Sequence, residues 1–398
     1  MTQLSPTRQA ALSRLSAFVP HAGRDYASLR NYDRPDQGHP HVSQLSPYLR
    51  HRLITEPEVL RAVLDHHSAD AAEKFIQEVC WRTYWKGWLE LRPQVWAEYR
   101  RDLEALGKVD GMDRAEAGKT DIAAFNAWAQ ELVETGYLHN HARMWFASIW
   151  IFTLGLPWQS GADFFMRHLL DGDPASNTLS WRWVAGLQTQ GKHYIARPEN
   201  IAKFTDGRHN PADSLNVAAA PLSGPPHPER RAPPVAEPCD PAKPTILLIH
   251  EDDLSPGFAA DSAPVIGHAA ILACDGRSPG TASEKVEAFV TGGVEDAASR
   301  LGERFGTSGP TTDDVDHLAD WIVTSRAAQV ITPYAPVGPV ASKLRRLTKA
   351  LSARDVPVIR VIRPWDSAAW PHSTHGFFRF KKKIPELLGE LTASVEEG

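Results

Sequence analysis

Cysteine is scarce. The chain holds three, Cys80, Cys239 and Cys274, far apart and without metal-type spacing. That excludes a disulfide framework and fits a reducing compartment. Long apolar runs are missing too. The longest, near Trp145–Leu156, is too short and too mixed to span a bilayer. The opening residues, MTQLSPTRQAALSRL, lack the apolar core of a secretion signal. These absences predict a soluble, cytoplasmic protein with no membrane partner, which we expect to be a monomer. There is no excess of positive charge either. The net charge is −5, which excludes a globally basic nucleic-acid binder but not a local basic groove. The usual nucleotide fingerprints, a GxGxxG after a strand or a P-loop, do not occur.

Tryptophan, by contrast, is plentiful: 13 residues, most of them before residue 184. Most tryptophans pack in cores, yet this density also suits stacking on flat rings. The length, 398 residues, predicts two or three domains. Residues 1–205 carry helical spacing and no convincing strand. Helices are expected over Glu58–His67, the stretch AAEKFIQEVCWRTYWKGWLEL, Ala123–Thr135 with Gly136 as C-cap, His139–Leu154 and Ser160–Leu170, with DGDPASN as a loop. Residues 206–244 are rich in Pro and Ala and read as an extended, mobile linker. From residue 245 to 398 strands alternate with helices, beginning with TILLIHEDD and AAILACDG. That pattern predicts a doubly wound parallel sheet. The fold class expected is therefore α + α/β in two domains.

Gly136–Tyr194 places Asn140, Arg143, Asp171, Asp173 and Asn177 among apolar neighbours. Buried ionisable groups are costly unless paired or bound to something polar. On the helix containing EKFIQEVCWRTYW, one broad face carries Phe75, Glu78, Trp81, Arg82 and Trp85. Ser46-Pro47 reads as an N-cap followed by a first-turn proline, whose free N–H groups form an anion site. His139 and His141 alternate without a third ligand and are not read as a metal site.

GYLHNHARM and DGDPASNTLSWRW, with VSQLSPYL and EVCWRTYW upstream, resemble the FAD-binding helical domain of the photolyase/cryptochrome family, over roughly Tyr26 to Tyr194. The resemblance implies FAD as cofactor, held by Tyr26, by the loop Ser43, Gln44, Leu45 and Ser46, and by Arg82, Asn140, Arg143, Asp171, Asp173 and Asn177. Val42 stands where the family usually has Thr. Arg143 would pair with Asp171, Asp173 would accept from the ring's N3 edge, and Asn177 would face N5. The same resemblance implies a repair enzyme for cyclobutane pyrimidine dimers in damaged DNA, a carbon–carbon lyase. Glu78, Trp81, Asn140, Met144 and Trp183 would then serve the flipped dimer, while Arg30 and His141 contact the DNA. Asn140 and Met144 stand where (6-4) enzymes carry histidines, which favours the dimer as substrate.

Trp181 and Trp158 correspond to the inner and middle members of the family's electron relay. The outer position falls near Ala105, which cannot serve, leaving Trp96 or another exposed aromatic. A second, antenna chromophore is supported by no motif. The α/β segment follows the helical one, the reverse of the family order, which suggests a circular permutation. The alternative reading is a cryptochrome-like photosensor that signals through a protein partner.

Overall fold

The computed structural model describes residues 4–212, 214–261 and 263–396. Among them, no strand precedes Thr245, and helices occupy most of the chain between Arg8 and Phe204. The helix Glu56–Leu64 begins with a capping box, Thr55 with Glu58, in which each side chain satisfies the other residue's backbone N–H. The long helix Glu73–Glu90 buries aromatic and charged groups together: Phe75, Tyr84, Trp85 and Trp88, but also Lys86 and Glu90. The helix Ala123–Thr135 ends, as expected, at Gly136 with φ 69°. A Cβ there would also lie 2.8 Å from Leu170 Cγ, so glycine is required twice over.

Several boundaries differ from expectation. The pattern over His139–Leu154 resolves into a helix, Asn140–Ser148, followed by a π-helical turn at Ile149–Thr153. DGDPASN is a loop only as far as Asp173. Pro174 opens the helix Pro174–Ala185, and the Asp173 carboxylate caps it by accepting from Ser176 N at 2.7 Å. Ser46 is not an N-cap. It is the first residue of the five-residue helix Ser46–Arg50, with Leu45 before it and no capping side chain. Sequence reasoning missed the helices Gln94–Glu104 and Pro198–Phe204.

Five parallel strands, β1 Thr245–His250, β2 Val265–Ile271, β3 Ser308–Thr312, β4 Gln329–Pro333 and β5 Val358–Val361, form one sheet in the order β3-β2-β1-β4-β5. This is the doubly wound sheet expected, with β3 the strand not foreseen. Period-2 alternation divides β1 between two cores. Ile246 and Leu248 pack under the helices Val315–Thr324 and Pro339–Ser352. Leu247 and Ile249 join the core that continues into the helical half. The helix Glu284–Phe305 covers that second face, and its Phe289 ring lies 6.0 Å from that of Tyr48.

Among the described residues of 206–244 there is no helix or strand, and hydrogen bonds hold the segment against its neighbours. Leu222 N donates to Ala185 O at 2.9 Å, Arg231 Nη2 to Glu90 at 2.8 Å, and Arg360 N to Glu237 at 2.9 Å. The segment is strapped along both halves. Below it, buried ion pairs bind the halves together: Arg50 with Asp252 at 2.6 Å, and Arg52 with Asp253 and Asp366 at 3.4 and 2.7 Å.

Candidate cofactor site

A cavity of about 520 Å³ opens between the helices of the first half. That size lies within the range of small-molecule sites, roughly 300–1,000 Å³. Its wall collects residues from the helices Arg24–Leu29, Glu73–Glu90, Asn140–Ser148 and Pro174–Ala185, and from the loop before Ser46. Tyr26, Ser43, Gln44, Leu45, Ser46, Arg82, Asn140, Arg143, Asp171, Asp173 and Asn177 all line it. So do Arg30, Glu78, Trp81, His141, Met144, Trp181 and Trp183. Trp158 does not. Residues separated by more than a hundred positions thus share one wall.

Arg143 Nη1 donates to both oxygens of Asp171 at 3.0 Å, while its Nε donates to Leu138 O at 2.7 Å. Arg82 approaches Asp171 and Asp173 at 3.9 and 4.0 Å. Burial would raise the Asp171 pKa, but Arg143, Arg82 and a hydrogen bond from Ser46 hold it below the ordinary carboxylate value. Asp173 is held lower still: burial opposes ionisation, and Lys86, Arg50 and Arg82 outweigh it. Both carboxylates are therefore ionised and locked in place. The loop is set by local chemistry: Ser43 Oγ accepts from Leu45 N at 3.3 Å, and Gln44, at φ 52°, is held by Arg14 at 2.9 Å and by Gly38 O at 2.9 Å.

Three buried polar atoms on this wall have no hydrogen-bond partner among the described residues: Arg82 Nη1, Ser176 Oγ and Trp181 Nε1. Such atoms are rare in a finished interior. Two donors and a hydroxyl left open beside an aromatic lining fit a ligand with a flat ring and acceptor-rich polar parts. Asn177 is already half used, since its Nδ2 donates to Ala162 O at 2.8 Å. Its Oδ1 is left as an acceptor.

Glu78 sits in the cavity mouth. Solvent reaches 41% of its side chain, yet protein surrounds it, and that crowding raises its pKa against the lowering effect of Arg30, 3.9 Å away. Helical spacing alone allows a solvated Glu78–Arg82 pair. Instead, Glu78 faces Arg30 and Arg82 faces the two aspartates. One face of Trp81 is covered: its ring lies 3.6 Å from Phe377, near parallel at 12°. Only the other face is left for the cavity. Burial, with Arg30 nearby, lowers the His141 pKa to about 4, which favours the uncharged ring at neutral pH. Arg30 Nη1 donates to Ala27 O at 2.9 Å.

Trp181 stands at the cavity wall because Gly161 lets it approach. A Cβ on Gly161 would lie 2.3 Å from the indole. Trp158 lies outside that wall, where its ring stacks on Tyr99 at 5.6 Å, and Tyr99 meets Trp96 at 5.2 Å. Trp96 was expected to be exposed; it is 9% exposed. Tyr99, which joins it to Trp158, was not foreseen. Lys86 and Arg50, buried 3.8 Å from Asp173, were also missed. A signal for Lys86 existed: it lies four residues after Arg82, on the same face of an aromatic-rich helix. Behind Tyr137, His39 lies between Asp33 and Glu131 at 3.6 and 3.1 Å, a group that could hold a metal ion. There, Asp33 already accepts from Arg208 at 2.8 Å and Trp128 at 3.2 Å.

Fold and cavity together define a helical cofactor-binding unit docked on a doubly wound sheet. Residues 75–210 match the family model of the FAD binding domain of DNA photolyase. The deoxyribodipyrimidine photo-lyase of Streptomyces griseus is 32% identical over 174 residues, 40% of this chain and 38% of that protein. The enzyme of the same name from Synechococcus sp. is 30% identical over 224 residues, 51% of this chain and 44% of the relative. A class III photolyase structure from Agrobacterium tumefaciens is 28% identical, with a TM-score of 0.43 over 50% of this chain and 42% of that one. The chain spans less than half the length of the curated relatives it matches. Over its helical half the chain is similar to the photolyase/cryptochrome family, through the FAD binding domain that the family model describes.

Proposed function

We propose that the protein is a light-driven DNA repair enzyme that splits cyclobutane pyrimidine dimers. One observation carries this reading: Glu78, Trp81, Met144 and Trp183 line the same cavity as the cofactor set. A photosensor that signals through a partner has no use for a lesion pocket beside its flavin. When bound and reduced, FAD supplies the electron that, on absorption of blue light, opens the dimer.

The chain's own residues do the rest. Arg82, Arg143, Asp171 and Asp173 orient the cofactor by charge and hydrogen bonds, and Ser43 to Ser46 stand at the helix start suited to its phosphates. Asn177 presents its Oδ1 toward the ring. Trp183 and the free face of Trp81 hold the flipped bases, and Glu78 meets their edges, its raised pKa making it a ready hydrogen-bond partner. Trp181, then Trp158, Tyr99 and Trp96, form the route by which the cofactor is reduced. We also read the order of the two halves as a permutation of the family arrangement.

The test is blue-light repair of a dimer-containing oligonucleotide by purified protein carrying reduced FAD. Repair is expected. A reduced, FAD-loaded protein that binds the lesion without repairing it, or ignores it, overturns the reading and favours the photosensor.

A further inference from the structure

Behind Tyr137, on the protein side of the cavity wall, three ligand-type side chains converge from separate elements. Asp33 and His39 stand on the segment that leads to Ser43, and Glu131 on the helix Ala123–Thr135. His39 lies 3.6 Å from Asp33 through Nδ1 and 3.1 Å from Glu131 through Nε2. The side chains of Asp33 and His39 are fully buried, whereas 14% of the Glu131 side chain meets solvent. One ligand atom of each residue lies within 4.8 Å of the other two.

Hydrogen bonding does not complete this cluster. His39 Nε2 is bonded to Glu131, but 3.6 Å is too long for a bond between Nδ1 and Asp33. Asp33 Oδ1 and His39 Nδ1 both lack a hydrogen-bond partner among the described residues. Two buried atoms of this kind facing each other call for a positive centre between them. Arg208 and Trp128 do not supply it, because both donate to the other oxygen, Oδ2, at 2.8 and 3.2 Å. They fix the carboxylate from behind and leave Oδ1 open, which is how proteins orient a carboxylate that binds metal. Arg208 is also shared with Asp36, at 3.8 Å. His139, whose ring stacks on His39 at 5.5 Å, has both nitrogens engaged, with Arg30 O and His141 N. His39 itself holds φ 54°, a backbone setting uncommon outside glycine.

We propose that Asp33, His39 and Glu131 bind one divalent transition-metal ion of the zinc class, with water on the Glu131 side completing its shell. An imidazole with two carboxylates suits such an ion. Ligands about 2.1 Å from one ion lie at most about 4.2 Å apart, so a cluster already within 4.8 Å closes by no more than about 0.6 Å. The ion ties the segment before Ser43 to the helix Ala123–Thr135. Asp33 N, donating to Phe204 O at 2.8 Å, carries that tie on to the helix Pro198–Phe204. The segment in turn supports the cavity: Val42 N donates to His39 O at 3.3 Å, and Gln44 Nε2 to Gly38 O at 2.9 Å. This inference stands apart from the repair reading, and either can fail without the other.

The test is equilibrium dialysis of the full, chelator-stripped protein against Zn²⁺, with metal measured per chain, beside His39→Gln and Glu131→Gln. The wild type is expected to take up one ion per chain more tightly than exposed histidines do, and the ion should raise the unfolding temperature. Each variant is expected to weaken that uptake by at least about tenfold, the cost of losing even a residue that only orients a ligand. Glu131→Gln keeps the side-chain shape at a partly exposed position, so it reports on the ion even where His39→Gln folds poorly. Unchanged uptake by folded Glu131→Gln protein puts the ion on other side chains and overturns the proposal. Uptake by the wild type no tighter than that of exposed histidines overturns it too. Nitrogen NMR gives the third outcome: a doubly protonated His39 at neutral pH under saturating Zn²⁺ makes the cluster an ion pair, and the proposal fails.

Discussion

Arg52 donates from Nη2 to Asp366 at 2.8 Å, across the junction of the helical half and the segment that follows the sheet, and both residues are buried. Arg52 also reaches Glu56 at 3.5 Å and Asp253 at 3.4 Å. Removing one member of such a network leaves a buried charge without its partner. Asp366→Ala is expected to lower stability by about 3–5 kcal/mol. Thermal unfolding, followed by protein and flavin signals together, would show one earlier transition. A loss under about 1 kcal/mol would mean that the pair is replaceable by water.

Asp253 sets a pH limit on the same junction. Burial would raise its pKa, but Arg363, at 2.7 Å, with Arg52, holds it at about 2. An unfolded aspartate titrates near 3.9, so unfolding takes up a proton between the two values. The stability that Asp253 contributes is complete above about pH 4 and drains away as pH falls toward about 2. Urea midpoints measured down this range should fall more steeply for wild type than for Asp253→Asn. Parallel curves would remove Asp253 from the account.

Asp171→Asn should release the cofactor rather than the fold. It leaves Arg143 and Arg82 without their shared carboxylate, and FAD content per chain is expected to drop at least tenfold with secondary structure unchanged. Full FAD occupancy in that variant would show that Arg143 orients the ring without help from Asp171.

On the repair reading, Trp183→Ala removes one stacking face for a flipped base, worth about 1–3 kcal/mol, or about five- to 160-fold in lesion affinity. Trp81→Ala should cost less, because Phe377 already covers one face of that ring. Dimer-oligonucleotide titrations at constant FAD content test the order; an equal loss for both would mean that the Phe377 contact plays no part.

Trp181→Phe should abolish light-driven reduction of oxidised flavin while repair by chemically reduced protein persists. Tyr99→Phe tests the outer route: a slowed reduction places the phenol on the path, and an unchanged rate sends it elsewhere.

How far the chain could be read depended on how local each signal was. Helical periodicity, Gly136 as a terminator and alternating apolar strands are short-range, and they located most helices and four of the five strands. The motifs around Ser43, Glu78, Asn140 and Asp171 were legible as words, and the cofactor family followed from them. Ser46 resembles a cap because a Ser-Pro pair looks the same whether the helix begins before or at the serine.

The Gly136–Tyr194 segment by itself determined that polar and charged groups had to be satisfied among apolar neighbours. Tertiary packing decided with what: Asp171 with Arg143, Asp173 with Lys86 and Arg50, Trp81 against Phe377. Periodicity encodes which face of a helix is buried, since that depends on residues a turn apart. Which charge meets which across hundreds of residues depends on how elements dock, and that is decided only when desolvation makes every buried ion find its partner.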